Sequence, residues 1–310
     1  MVTSLSNLKT AYNWIVSALV SILLRIAKKL PPDQSTAIAE SSGKLLSPFL
    51  PRSKLARKNL RLAFPHYKQQ EINEIVRCVW GNVARTLTEY VFLDDLFNYD
   101  LEKQGEGRID INGAENFRKI LESDKPSIIF TAHTGNWEIL PIAAANYGLD
   151  ITVLFRPPNN RFLAQRLLKA RHMKYCRFVP SCRGVAAALT LSRVLNSGGI
   201  VGLLADQAFA KGPRIQFLGR QASANPLAAK LALRHHCDIY PSRCIRLPGG
   251  RFRIELNDAI NIPDHQDQKN KVVEITLRIN EIIESWVKEY PDQWLWLHDR
   301  WKLKEILPPL

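Results

Sequence analysis

Hydrophobic and polar positions fall into three textures along the chain. The first is an uncharged run over residues 10–24. As a helix it would span about 22 Å, short of the roughly 30 Å of a bilayer's hydrocarbon layer. It is also two-sided. Asn13, Ser17, Ser21, Arg25 and Lys28 recur on one face, and Ile15, Leu19, Ile22, Ile26 and Leu30 on another. Tyr12 and Trp14 suit a membrane–water interface. Arg25, Lys28 and Lys29 follow the apolar run instead of preceding it, which argues against a cleaved signal peptide. The pattern predicts a tilted or interfacial anchor over residues 1–30, with the basic flank and the protein body on the cytoplasmic side. An ordinary core helix is the alternative. Nothing else in the chain resembles a spanning segment.

The second texture, residues 33–97, has apolar positions at three- and four-residue spacing and reads as helical, with breaks at Pro48, Pro51 and Pro65. The third begins at residue 109. Apolar or β-branched runs at 127–132, 151–155, 200–205, 239–246 and 251–256 predict strands. Helical stretches at 139–147, 160–174, 185–195, 226–235 and 271–288 alternate with most of them. That alternation predicts an α/β fold with a mostly parallel sheet and helices on both faces. Residues 31–310 form one α/β domain in this reading, its part over 31–108 helical, and the only linker-like stretch is 264–270.

Charge sharpens the picture. The chain carries 43 Lys and Arg against 29 Asp and Glu, a net +14. Between Asp150 and Asp238 stand fourteen basic residues, among them Arg156 and Arg183, and one acid, Asp206. Nearly all of the excess is therefore in one segment, which suits an anionic partner better than general solubility. The five Cys are odd in number and contain no C-x-x-C pair, against a disulfide framework or a Cys-rich zinc site.

Candidate chemistry sits where the 127–132 strand ends, in His133-Thr134-Gly135-Asn136-Trp137-Glu138. The carboxyl ends of parallel strands are where such folds place their sites. His133 lies at the strand-to-turn junction and Glu138 in the first turn of the next helix. Gly135 and Asn136 favour a turn that lets the two side chains meet. A carboxylate on one imidazole nitrogen would fix the tautomer and free the other nitrogen to take a proton from a hydroxyl. No G-x-S-x-G elbow is present, so a Ser acyl-enzyme is not indicated.

His-Thr-Gly-Asn-Trp-Glu after an apolar strand resembles the H-x4-D/E motif of lipid acyltransferases. The chain more specifically resembles the lipid A late acyltransferases, the lauroyl and myristoyl transferases of lipopolysaccharide synthesis. Further blocks come in that family's order: Leu154-Phe155-Arg156-Pro157, Arg183-Gly184, the run from Gly199 to Asp206-Gln207, Phe217-Leu218-Gly219, Tyr240-Pro241-Ser242-Arg243, and Pro291-Asp292-Gln293-Trp294-Leu295-Trp296-Leu297-His298. Ala205 departs from the Pro usual before Asp-Gln, and Leu218 from a Phe.

The resemblance implies a glycerolipid-acyltransferase-like fold at the cytoplasmic face of a bacterial inner membrane. It implies an acyl thioester on acyl carrier protein as donor, and as acceptor a hydroxyl of a phosphorylated glycolipid, a lipid A precursor of the Kdo-lipid IVA type. His133 would be the general base and Glu138 its orienting partner, with neither metal nor cofactor required. Arg156 would contact phosphate or an oxyanion, and Asn136 could donate to the same oxygen. Asp206 is either a salt-bridge hub for arginines or a direct site residue. Gln207, Arg183 and Arg243 are further substrate-binding candidates, Arg243 equally a sheet-edge ion pair. Trp294, Trp296 and His298 read as packing. The rival readings are acyl-CoA-dependent transfer to another glycolipid such as a phosphatidylinositol mannoside, a non-catalytic module for anionic lipid, and nucleic-acid binding. The last lacks any zinc-finger, RNP or basic-zipper pattern.

Overall fold

The computed structural model describes residues 2–97, 107–158, 160, 162, 164, 176–262 and 267–301, with the side chains of residues 2–9 and of Arg183 outside that description. Most of the predicted 160–174 helix, its basic side chains included, therefore lies outside the described residues, as does part of the 264–270 linker.

Helix α1 (Val2–Ala27) is continuous and longer than its apolar run. Its stretch Thr10–Ala27 is long and apolar enough to cross a membrane by length and composition alone. It is also mounted inside out. Ser17 is buried, while Trp14, Ile15, Leu19, Ile22, Leu23 and Ile26 expose 50–65% of their surface. A core helix would turn these faces the other way, so that alternative does not describe α1.

Helices α2 (Pro32–Leu46), α3 (Arg52–Ala63), α4 (Gln69–Glu89) and the single turn α5 (Leu93–Leu96) fill the predicted helical region. Pro51 immediately precedes α3 and Pro65 comes just after its end, where a missing amide donor is tolerated. Gly43 of α2 lets α4 approach closely, because a Cβ there would fall 2.5 Å from the Trp80 carbonyl.

Strand β1 (Ile109–Asn112) begins the sheet and leads into α6 (Ala114–Glu122). Then come β2 (Ser127–Thr131), α7 (Leu140–Asn146), β3 (Ile151–Phe155) and β4 (Arg177–Pro180). Helix α8 (Val185–Asn196) leads to β5 (Ile200–Leu204), and a separate hairpin, β6 (Arg214–Phe217) and β7 (Arg220–Ser223), interrupts the alternation. Helix α9 (Leu227–His235), β8 (Asp238–Arg246), β9 (Phe252–Leu256) and α10 (Gln268–Glu289) complete the described elements.

The seven strands are ordered β1-β9-β8-β2-β5-β3-β4. All neighbours are parallel except β8 and β9, which form a hairpin. Alternation along β2 divides the core. Ile128 and Phe130 join a cluster with residues of α3, α4, α8, α9 and α10. Ile129 points the other way, into a cluster with residues of α6 and α7. The sheet is thus covered on both faces, as its apolar strands require.

Candidate active site

Strands β2 and β5 are hydrogen-bonded neighbours with Thr131 opposite Leu204, and the Ala205 amide donates to the Thr131 carbonyl at 2.9 Å. Two residues further along each chain segment stand His133 and Asp206. The register therefore delivers imidazole and carboxylate side by side at the carboxyl end of the sheet. His133 Nδ1 lies 2.8 Å from Asp206 Oδ1, and the His133 amide donates to Asp206 Oδ2 at 3.0 Å. The same Oδ2 accepts the Trp294 indole N–H at 2.9 Å.

The carboxylate on His133 Nδ1 is thus Asp206, while Glu138 acts on the same imidazole through its charge. Asp206 is also no hub for arginines, since its partners are an imidazole, an amide and an indole. Arg300 feels the Asp206 charge, but its guanidinium donates to the Ser223 carbonyl and to Asn280.

Electrostatics obey this geometry. Burial disfavours a charged imidazole at His133. The charge and hydrogen bond of Asp206 outweigh it, with help from Glu138, and hold the His133 pKa above its ordinary value. Burial likewise opposes a charged Asp206, but His133 and the donors around it hold the carboxylate far below its usual range. Nearby His298 is pushed down to about 4, first by burial and then by His133 and Arg300. It is neutral at physiological pH. Its ring sits 5.0 Å from Trp294 and 6.4 Å from His133.

The loop after β2 is held from three sides. Gly135 takes φ +56°, and a Cβ there would fall 2.1 Å from the Cys244 carbonyl, so only glycine fits. Its amide donates to the Gln293 carbonyl at 3.2 Å, and the Leu295 amide donates to the His133 carbonyl at 3.0 Å. Asn136 is fully buried: it donates to Glu89 at 2.8 Å and accepts the Glu138 amide at 3.1 Å. Glu89 is in turn gripped by Arg246 through two contacts of 2.5 and 2.9 Å. Asn136 therefore braces the loop.

His133 and Glu138 both line a cavity of about 770 Å³. Glu138 accepts the Trp137 indole N–H at 2.9 Å. Arg156 and Cys182 stand at the exposed end of the cavity, and Gln207 on its wall. The inner wall is apolar: Phe117, Ile129, Ala144, Ile151, Val153 and Phe178. Gly202 is paired with both Ile129 and Val153, and a Cβ there would fall 3.1 Å from Ile151 and 3.2 Å from Val153, so glycine lets these side chains pack close. The arrangement can do base chemistry at the mouth of a greasy pocket. Helix α1 stands beside this mouth, because Asn160, just past the Arg156-Pro157-Pro158 rim, donates to the Asn13 carbonyl at 2.7 Å.

Arg243 is elsewhere. Its Nε donates to Glu255 and its Nη1 to Glu289, both at 2.7 Å, and it lies over the rings of Trp286 and Tyr290. It forms the sheet-side ion pair of the two readings. Arg183 ends a short turn, Ser181–Arg183, whose other residues line the cavity, but its side chain lies outside the described residues. Trp296 is packing, donating to the Pro291 carbonyl at 2.6 Å, whereas Trp294 reaches the site. The only signal in the sequence for that difference was the closing Trp-Leu-Trp-Leu-His block.

Comparison with known proteins agrees with the motif order. A family model described as bacterial lipid A biosynthesis acyltransferase matches residues 3–303. A lipid A biosynthesis acyltransferase of Haemophilus influenzae is 21% identical over 245 residues, covering 78% of this chain and 73% of that protein. The family match takes in the His133 loop, the cavity wall and the closing tryptophan block alike, so the chain belongs to the bacterial lipid A biosynthesis acyltransferase family, enzymes that transfer acyl chains in lipid A synthesis.

Proposed function

We propose that this protein transfers a fatty acyl chain from an acyl carrier protein thioester to a hydroxyl of a lipid A precursor of the Kdo-lipid IVA type. The reaction would run at the cytoplasmic face of a bacterial inner membrane. One observation carries the reading: a His133–Asp206 pair at the mouth of an apolar cavity, with Arg156 at its exposed end. With Nδ1 donating to Asp206, His133 Nε2 is the basic nitrogen. It takes the proton of the acceptor hydroxyl as that oxygen attacks the thioester carbonyl. The tetrahedral intermediate then expels the thiolate, and the imidazolium returns the proton to sulfur. The products are an ester and a free carrier thiol. Asp206 stabilises the imidazolium, and Glu138 adds negative potential from the cavity wall.

The remaining parts support the same chemistry. The apolar inner wall suits an acyl chain. Arg156 suits an acceptor phosphate or the oxyanion. The outward apolar face of α1 suits lipid and would bring the cavity mouth beside the bilayer. The test is transfer by purified protein in detergent, with acyl carrier protein thioesters as donors and Kdo-lipid IVA as acceptor. Mass spectrometry should find the acceptor heavier by one acyl chain, and the His133→Ala variant should be slower by roughly a thousandfold. Transfer from acyl-CoA to a phosphatidylinositol mannoside, with none to Kdo-lipid IVA, would replace this reading.

A further inference from the structure

The segment around Trp294 touches both halves of the catalytic pair. Thr134 and Trp294 form an isolated antiparallel bridge, and the Leu295 amide holds the carbonyl of His133 itself. The same tryptophan gives its indole N–H to Asp206 Oδ2. Trp294 and Asp206 are both essentially without solvent exposure, so water has no access to replace that donor. A residue that served packing alone would not need this bond. Trp296 is the internal contrast: equally buried and 4.6 Å away ring to ring, it spends its N–H on the Pro291 carbonyl.

We infer that Trp294 is a positioning residue for the reaction: its indole fixes the orientation of the Asp206 carboxylate while its backbone fixes the loop that carries His133. This rests on the acyl-transfer reading for its kinetic consequences, though not for its geometry. The charged and titratable groups facing the pair are Glu138 from the cavity wall, His298 from the closing segment and Arg300 behind it. The Trp294 indole N–H itself goes to Asp206, so removing it acts on that carboxylate.

Trp294→Phe keeps an aromatic ring and deletes the donor. Its kcat should fall about tenfold, the scale of one hydrogen bond to a charged group, with KM for either substrate nearly unchanged. The acid limb of its pH–rate curve should move upward, because a carboxylate that loses a donor binds the imidazolium proton more firmly. In an Asp206→Asn background the same change should have little further effect. Trp296→Phe should lose stability yet keep the parent's pH profile. Parental kcat per folded molecule with a superimposable acid limb would overturn the inference. So would an equal loss in the Asp206→Asn background, which would mean that the ring acts by packing.

A readout on the wild-type protein covers the case where Trp294→Phe does not fold. With isotope-labelled indole nitrogens, the Trp294 N–H resonance should shift over the pH interval in which His133 titrates and should stand still in Asp206→Asn. A resonance indifferent to His133 protonation would refute the role. Because this measurement needs no turnover, it separates failure of the positioning role from failure of the proposed reaction.

Discussion

The two faces of the central sheet differ in kind. On one, Phe130, Leu191, Ile283, Trp286 and Trp296 fill the space beneath α3, α4, α8, α9 and α10. On the other, α6 and α7 cover strands whose row Ile129, Gly202 and Val153 opens on a 770 Å³ cavity. One sheet of alternating residues serves both. The odd-numbered positions Ile129 and Thr131 of β2, and His133 just beyond its end, line the hollow side. The even-numbered positions Ile128 and Phe130 belong to the solid side. The difference teaches where each kind of mutation should register: in turnover on the hollow face, in stability on the filled one.

The comparison breaks most visibly at the pair that joins the faces. Asp206→Asn should lower kcat by roughly a hundred- to a thousandfold with modest loss of stability, read from kinetics and a thermal melt on the same sample. The sign of the pH effect is fixed as well. In the parent, His133 must be neutral to accept a proton and its pKa is raised, so the acid limb should lie above the ordinary imidazole value of about 6.5. In Asp206→Asn that limb should fall to lower pH. A limb that stays in place would detach Asp206 from the base.

On the filled face, Phe130→Ala should cost about 3–5 kcal/mol in denaturant unfolding, as a fully buried ring is lost. Its kcat per folded molecule should stay near the parent's. The smallest effect sharpens the hollow side. Ala144→Leu places bulk on the apolar cavity wall. Stability should change by about 1 kcal/mol or less. Preference among acyl carrier protein thioesters should shift by several-fold toward shorter chains. An unchanged chain-length profile would mean that this wall does not meet the acyl group.

Much of this was legible in the sequence, and the failures share a cause. Strands β2, β3, β5, β8 and β9 were visible because each is a short apolar or alternating run. Strands β1 and β4 and the β6–β7 hairpin were not, since four residues such as Arg177–Pro180 carry too little pattern to stand out. The catalytic motif gave His133 and Glu138, both on the cavity wall. It did not give the carboxylate on Nδ1, because that contact depends on β2 lying next to β5, an adjacency between strands far apart in the chain. Asp206 stood out as a lone acid among cations, which left open a hub for arginines or a direct place in the site. The partners of Asn136 and Arg243 were hidden for the same reason. Their polar groups are consumed by Glu89, Glu255 and Glu289, and those partners come from α4, β9 and α10.

The bridge between Thr134 and Trp294 has a consequence for how the protein is made. A ribosome delivers the imidazole and its carboxylate early, but the stretch that clamps them together emerges only near the end of the described chain. Until residues 293–295 have docked, a nascent polypeptide holds every reacting group without the scaffold that aligns them. Alignment of the pair therefore waits on the docking of this segment.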